Sequence, residues 1–216
     1  MIRVAIADDH TIVREGLKQL LSATSDLEIV GEARDGHEAL KLVVEKAVDV
    51  LLVDLSMPGR SGVELIKQAK AERPKLRILV LSMHAERQYA VRAIRAGASG
   101  YLTKDSATTQ LVSAIRKVAG GGAFISAEVA EELALSAMPH ADGPPHASLS
   151  DREYQVFQLL VSGKSVSDIA AQLNLSVKTV STHKARLMEK IGLANQTELV
   201  HYAIKHKLVD DSAAPA

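Results

Sequence analysis

Five short apolar segments, separated by amphipathic stretches, occupy the first 120 residues and constrain the fold more than any other feature. They are rich in Val, Ile and Leu and apolar almost throughout, rather than at alternate positions. Such runs are typical of parallel strands that helices cover on both faces. The intervening stretches are long enough for right-handed crossovers. The sequence therefore predicts a doubly wound, flavodoxin-like α/β domain. Its predicted strands are Ile2–Ala7, Glu28–Ala33, Val48–Val53, Arg77–Leu81 and Ser99–Leu102.

Capping patterns support the helices between these strands. Asp35 is followed three residues later by Glu38, which is the spacing of a capping box. Ser106 is expected to cap the fifth helix, and the glycines at 120–122 are expected to end it. We therefore place this domain at residues 1–122.

A change of composition follows the first domain. From Ser136 to Ser148 the chain is mostly Ala, Pro, Gly and His, which neither sustains a helix nor buries much surface. We predict a linker over residues 123–147, with one short helix at Ser126–Leu135. The alanine-rich end, 209–216, is predicted to be disordered.

Four helical patterns and no strand occupy residues 148–208, which predicts a compact all-α domain. Capping-box spacings and helix-ending glycines mark their limits. The predicted helices are Ser150–Val161, Ser165–Leu173, Ser176–Ile191 and Asn195–His206.

Composition excludes several classes of function. The chain has no cysteine, which removes disulfides, cysteine-ligated zinc and cysteine nucleophiles. No signal peptide or membrane-spanning run is recognisable, so we expect a cytoplasmic protein without membrane contact. Residues 148–208 carry 8 basic against 5 acidic side chains. Any contact with nucleic acid must therefore come from a local basic face.

Charged side chains follow several of the predicted strands. Asp8 and Asp9 end the first strand, Asp54 the third, and Lys104 follows the fifth. Ligands of open parallel sheets bind at this edge, so these groups should converge. Three converging carboxylates repel one another unless a hard divalent cation joins them, and Mg²⁺ prefers such oxygen ligands. Lys104 and the Ser82 hydroxyl could then hold a phosphoryl group on Asp54.

The complete set of motifs resembles the receiver domain of bacterial two-component response regulators. The matching motifs are Ala7-Asp8-Asp9-His10, Val53-Asp54-Leu55-Ser56-Met57-Pro58-Gly59, Leu81-Ser82-Met83 and Gly100-Tyr101-Leu102-Thr103-Lys104.

This resemblance assigns roles to individual residues. It implies that Asp54 accepts the phosphoryl group and that Lys104 contacts it. Asp8, Asp9, Asp54 and the backbone carbonyl of Ser56 would hold Mg²⁺. Ser82 and Tyr101 would form a switch pair, in which the tyrosine ring turns inward as the hydroxyl moves. Tyr101 could equally be an ordinary half-buried strand residue. Asp105 departs from the family, which often has proline after the lysine.

A helix-turn-helix is predicted where two helices flank the short turn Asn174-Leu175. At 100° per residue, one side of the second helix is apolar and the other carries cations and hydroxyls. The apolar side comprises Val177, Val180, Leu187, Met188 and Ile191. Lys184 also falls on that side, so its aliphatic stem should lie along the edge of the core and only its ammonium should be available for contacts. The candidate DNA contacts are Lys178, Thr179, Thr182, His183, Lys184, Arg186 and Lys190. A merely solvated helix face is the alternative.

The second domain resembles the LuxR-type DNA-binding domain, through motifs that include Leu149–Glu153, Leu173–Ser176, Lys178-Thr179-Val180 and His183. The two halves together resemble the NarL/FixJ family of response regulators. Ser181 and Gln196 depart from it, because basic residues are frequent at both positions.

The resemblance implies a transcription factor that a sensor histidine kinase phosphorylates with Mg²⁺. Its expected partners are that kinase, double-stranded promoter DNA and a second copy of the chain, with RNA polymerase as a further candidate. It would be no enzyme beyond its own phosphoryl transfer and dephosphorylation. Two alternatives remain: a phosphatase or phosphotransferase that turns over a small substrate, and a regulator that works without phosphorylation.

Overall fold

The computed structural model describes residues 1–57, 62–82, 87–137, 144–206 and 208, which form two compact units, Met1–Leu135 and Ser136–Ala216. Pro58, Gly59 and Met83 of the predicted motifs, residues 138–143 of the predicted linker, and the predicted tail lie outside the described residues. None of the helices in the described part of the chain is long and apolar enough to cross a membrane.

The first unit is built on the predicted five-stranded parallel sheet, and the α/β fold is confirmed. The strand order is β2-β1-β3-β4-β5. The strands are β1 Ile2–Ala7, β2 Leu27–Ala33, β3 Val50–Asp54, β4 Arg77–Ser82 and β5 Gly100–Thr103. The helices are α1 Thr11–Ser22, α2 Gly36–Glu45, α3 Gly62–Glu72, α4 Arg87–Arg95, α5 Lys104–Ala119 and α6 Ala127–Ala137.

Two apolar layers explain why the strands are apolar at every position. Ala5 and Leu51 belong to one buried cluster, whereas Val4 and Val50 belong to the other. Successive side chains of a strand point to opposite faces. Each face of the sheet therefore needs its own set of apolar residues.

The start of β3 differs from the prediction, because the strand begins at Val50 rather than Val48. Val48 is buried, but the next residue, Asp49, accepts hydrogen bonds from the backbone and guanidinium of Arg3 at 2.7–2.9 Å. Asp49 thereby holds the chain beside β1 before the strand begins.

The prediction that Ser106 caps the fifth helix is wrong. α5 begins two residues earlier, and its cap is Thr103, whose hydroxyl accepts from the Ser106 amide. Asp35 does cap α2, but the Glu38 carboxylate accepts from the amide of Arg34 rather than of Asp35.

The first unit continues to Leu135, past the predicted domain end at Gly122. Phe124 forms a bridge beside Gly100, with the amide of Tyr101 donating to the Phe124 carbonyl at 2.8 Å. A Cβ at Gly100 would lie 2.8 Å from that carbonyl, so the close approach requires glycine. Val129 of α6 joins the cluster that contains Ala5. Residues 123–129 thus cover the edge of the sheet.

The second unit contains a 3-10 turn, Pro145–Ser148, and four helices. These are α7 Asp151–Val161, α8 Val166–Leu173, α9 Val177–Ile191 and α10 Gln196–Lys205. Ser150 and Ser165 close capping boxes with Glu153 and Asp168. Asn174 adopts a left-handed conformation, with φ of 54°, and so turns the chain sharply from α8 into α9.

Candidate functional site

An acidic pocket lies where β1 and β3 end side by side. The side chains of Asp8 and Asp54 are only 2% and 1% exposed. One potential ligand atom from each of Asp8, Asp9, His10 and Asp54 lies within 4.8 Å of the others. The structure therefore brings together the three carboxylates that the sequence predicts.

Lys104 supplies the positive charge of this pocket. Its ammonium donates to Asp8 Oδ2 at 2.6 Å and to Asp54 Oδ2 at 2.8 Å. Burial lowers the pKa of Lys104, but the hydrogen bonds to Asp54 and Asp8 outweigh this effect and leave that pKa above its usual value. Lys104 is therefore a cation at neutral pH, held directly beside Asp54.

The pocket has the chemistry of a site for a divalent cation. Three carboxylates face one ammonium, so negative charge is in excess. Asp9 Oδ1 is buried and accepts no hydrogen bond within the described parts of the chain. His10 Nδ1 lies 3.0 Å from it, but the pair lacks the alignment of a hydrogen bond. A buried carboxylate oxygen without a donor fits a hard cation such as Mg²⁺.

The predicted switch residues lie on the strands beside this pocket. Ser82 is fully buried at the end of β4, one position beyond Leu81, which pairs with Asp54. Tyr101 on β5 is 9% exposed and lines a cavity of about 400 Å³. Thr103, which pairs with Ser82, lines the same cavity. The ring of Tyr101 thus already lies inside the domain.

The cations of α9 divide into two groups. Lys178, Thr182 and Arg186 are exposed and recur every four residues, so they share one stripe of the helix. Lys178 and Arg186 form no ion pair with any residue that the structure describes. This stripe can meet phosphates and base edges.

The other predicted contacts of α9 have partners within the second unit or are only partly exposed. The Lys190 ammonium is 2.6 Å from the buried carboxylate of Glu153 on α7. Lys184 donates to the side chain of Gln196 at 3.1 Å. His183 is half-buried, and Thr179 accepts from or donates to Ser176 at 2.7 Å.

The surroundings of His183 argue against a positive charge. Burial, followed by the proximity of Arg152, lowers the pKa of its imidazole below 6.5. The ring is therefore neutral at pH 7. His183 therefore adds no positive charge to α9, and the cationic face has fewer charged residues than the helical periodicity indicates.

Comparison with protein families agrees with this geometry. Residues 4–116 match the response regulator receiver domain, and residues 147–203 match the bacterial regulatory proteins of the luxR family. The response regulator UvrY of Escherichia coli (strain K12) is 39% identical over 209 residues, which cover 96% of each chain. The chain belongs to the NarL/FixJ family of two-component response regulators.

Solved structures of RcsB resemble this response regulator along most of its length. One of them is RcsB from Salmonella enterica serovar Typhimurium, bound to promoter rprA in the presence of the phosphomimetic BeF₃⁻. Its TM-score is 0.65 and its sequence identity is 31%, and the match covers 94% of this chain and 98% of that RcsB chain. A structure of two RcsB dimers bound to two parallel DNAs has a TM-score of 0.57 and 32% identity, with the same coverage.

Two departures of this response regulator from its family have visible consequences. Asp105 lies in the first turn of α5, where a carboxylate interacts favourably with the helix dipole. Gln196 accepts from Lys184 and donates to the carbonyl of Leu160 at 3.3 Å, so it links α9, α10 and α7. Arginine could not accept from Lys184. Ser181 is exposed on α9.

The sequence interpretation missed two residues of this response regulator's pocket. Arg14 on α1 donates to the carbonyl of Asp8 at 2.7 Å and lies 3.4 Å from Glu32, so it anchors the loop that carries the acids. Its position in an amphipathic helix gave no signal. His10 belongs to the first receiver motif, and the signal that sets it apart is a non-capping residue at an N-cap position.

Proposed function

We propose that this response regulator accepts a phosphoryl group on Asp54 from a phosphohistidine of a sensor kinase. The observation that carries the proposal is a buried carboxylate at a strand end, 2.8 Å from the Lys104 ammonium. An oxygen of Asp54 attacks phosphorus, the phosphorus–nitrogen bond breaks, and its electron pair stays on the ring nitrogen. The imidazole leaves in its neutral form because the other ring nitrogen of the phosphohistidine carries a proton. The product is an acyl phosphate on Asp54.

The groups around Asp54 suit this transfer. Lys104 lies beside the Asp54 oxygen that would bond to phosphorus, so its ammonium can turn from Asp8 and Asp54 toward the phosphoryl oxygens, where negative charge accumulates. Asp8, Asp9, Asp54 and the Ser56 carbonyl would hold Mg²⁺, which supplies positive charge to the phosphoryl oxygens when it is bound. The Ser56 amide already donates to Asp54 Oδ1 at 3.0 Å. It would keep one carboxylate oxygen oriented while the other reacts.

Phosphorylation would control the second unit. We propose that Ser82 and Tyr101 respond to the phosphoryl group and favour a homodimer. Two DNA-binding units would then engage adjacent half-sites of promoter DNA through the stripe of Lys178, Thr182 and Arg186. RcsB bound to promoter rprA in the presence of BeF₃⁻, and RcsB dimers bound to DNA, support this proposal.

We propose that the protein catalyses only its own phosphoryl transfer and dephosphorylation. It would act in the cytoplasm, where the kinase and the DNA are accessible. RNA polymerase would be recruited or blocked at the promoter. Steady turnover of a small phosphoester by the purified protein would contradict this restriction.

Phosphorylation at Asp54 can be tested by intact mass after incubation with a small phosphodonor and Mg²⁺. The wild type should gain one phosphoryl group, and Asp54→Asn should gain none. Asp151→Asn, a substitution on α7 of the other unit, is the matched control and should label normally. Undiminished labelling of Asp54→Asn would overturn the assignment.

The control of assembly needs a separate measurement. Sedimentation of the wild type with and without BeF₃⁻ should show dimers chiefly in its presence, together with tighter binding to promoter DNA. Asp54→Asn should show neither response. Equal mass and equal DNA affinity in both conditions would favour a regulator that works without phosphorylation.

A further inference from the structure

His10 occupies the N-cap of α1 but does not cap it. N-caps favour Ser, Thr, Asp and Asn, because their side chains accept from the first unpaired amides of the helix. Six other helices follow this rule, with caps that accept such hydrogen bonds. The caps are Asp35, Thr103, Ser150, Ser165, Ser176 and Asn195. α1 has no side-chain cap and no acidic residue in its first turn.

The imidazole turns instead toward the acidic pocket. His10 Nδ1 lies 3.0 Å from Asp9 Oδ1 and 3.3 Å from Asp8 Oδ1. The first of these oxygens is the buried one that accepts no hydrogen bond in the described structure. The residue thus forgoes a cap on α1. Its amide donates to Asp8 Oδ1 at 2.8 Å, and Nδ1 forms a hydrogen bond with the same oxygen while also lying beside Asp9. Departures of this kind are expected at functional sites.

These distances match those between ligands of one ion. Metal–ligand bonds of about 2.1 Å place adjacent ligand atoms of an octahedron roughly 3.0 Å apart. The separations of Nδ1 from Asp9 and Asp8 are close to this value. The imidazole is 63% exposed, so it can rotate slightly without disturbing a core.

We propose that His10 is a nitrogen ligand of the cation site formed by Asp8, Asp9 and Asp54. The inference rests on the proposed function only in taking this pocket as a cation site. Imidazole suits first-row transition ions, whereas carboxylates and carbonyls suit Mg²⁺. The site consequently accepts Co²⁺ with a preference over Mg²⁺ that four oxygen ligands would not provide. His10 favours a transition ion over Mg²⁺, while the carboxylates favour a divalent cation of either kind.

Calorimetric titration of the full chain with Co²⁺, and separately with Mg²⁺, tests this role. The informative variant is His10→Ser, because serine supplies the missing cap and should keep α1 folded. Its Co²⁺ affinity should fall about tenfold or more, while its Mg²⁺ affinity should stay within about twofold. The visible absorption of bound Co²⁺ should also shift when its nitrogen ligand is lost. His201→Ala, at an exposed histidine of α10, should change none of these values.

Two outcomes would overturn the inference. Equal Co²⁺ affinity in His10→Ser and the wild type would show that the imidazole is not a ligand. Equal losses for Co²⁺ and Mg²⁺ would show that His10 only arranges the carboxylates. Labelling of Asp54 with Mg²⁺ separates this inference from the proposed function. If the wild type takes no label, the proposed function fails, and the Co²⁺ titrations still decide the role of His10.

Discussion

The two units use charge in opposite ways. In the receiver unit, Asp8, Asp54 and Lys104 converge in a buried pocket at the sheet edge. In the DNA-binding unit, Lys178 and Arg186 lie apart on an exposed helix face, and the buried carboxylate of Glu153 has a structural partner, Lys190. One unit concentrates charge in a buried pocket, whereas the other distributes charge along an exposed helix face.

This difference determines what a sequence can reveal. Strand ends of a parallel sheet meet at one edge, so the fold itself brings the receiver carboxylates together. The fold does not determine in the same way which residues of a helix face are accessible, because neighbouring helices can cover any part of that face. The strand ends therefore predicted which residues converge in the pocket, whereas helical periodicity did not show which residues of α9 are available to DNA.

Removal of Lys104 should have the largest effect on stability. Lys104→Met leaves two buried carboxylates without their cation, and should lower the free energy of unfolding by about 3 kcal/mol in EDTA. Urea denaturation followed by circular dichroism measures this loss, with the exposed Lys75→Met as the matched control. Mg²⁺ should restore part of the loss. A change below about 1 kcal/mol would mean that the pocket does not depend on its ammonium.

The cationic side chains of α9 should contribute unequally to DNA binding. Lys178→Ala and Arg186→Ala should each weaken promoter binding about five- to tenfold and lower the salt dependence by about one phosphate contact. Lys190→Ala should leave the salt dependence unchanged, because its ammonium contacts Glu153. Titrations at several salt concentrations measure both quantities. An equal change in all three variants would show that the ion pair with Glu153 does not set Lys190 apart from Lys178 and Arg186.

Acid should destabilise the DNA-binding unit through Glu153. Burial raises the pKa of this carboxyl, but hydrogen bonds from Lys190 and Ser150 outweigh burial and leave the pKa below 4.5. A depressed pKa contributes stability above the unfolded value, and this contribution disappears as the pH falls through the folded value. Hydrogen exchange of α7 amides should show a loss of about 1 kcal/mol below about pH 4.5. Glu153→Gln should lack this dependence, and a similar loss in the variant would assign it elsewhere.

The cap of α1 should give the smallest effect, and one of opposite sign. His10→Ser adds a hydroxyl that can accept from the first turn, and should raise the free energy of unfolding by about 0.5–1 kcal/mol without divalent ions. Thermal unfolding in EDTA measures it. Destabilisation would show that the imidazole holds Asp8 and Asp9 more strongly than a cap holds the helix.

Most of the receiver fold was predictable, and its errors have local causes. Uniformly apolar strands predicted the parallel sheet, and this prediction is confirmed. The helix start was misplaced because Thr103 and Ser106 are equally good caps by type, and only the backbone decides between them. The short helix predicted at Ser126–Leu135 is confirmed as α6, but the contact of Phe124 with β5 carries no periodic pattern and was not predicted.

The candidate site was less uniformly predictable. The parallel strands β1 and β3 are neighbours and end at the same edge of the sheet, so the convergence of Asp8 and Asp54 followed from the predicted fold. The pairing between side chains could not be predicted in this way. Lys190 falls on the cationic side of α9, yet its ammonium donates a hydrogen bond to a carboxylate of α7. The roles assigned to individual residues remain predictions, which the substitutions above can test.

The bridge between Phe124 and Gly100 has a consequence for solubility. An uncovered edge strand offers unpaired amides and carbonyls to other chains, and invites aggregation. Phe124 exchanges backbone hydrogen bonds with Ser99 and Tyr101, and so shields one side of β5. A receiver fragment cut at Gly122 would expose that edge and is expected to self-associate through it. A fragment that ends at Leu135 would retain its own cover.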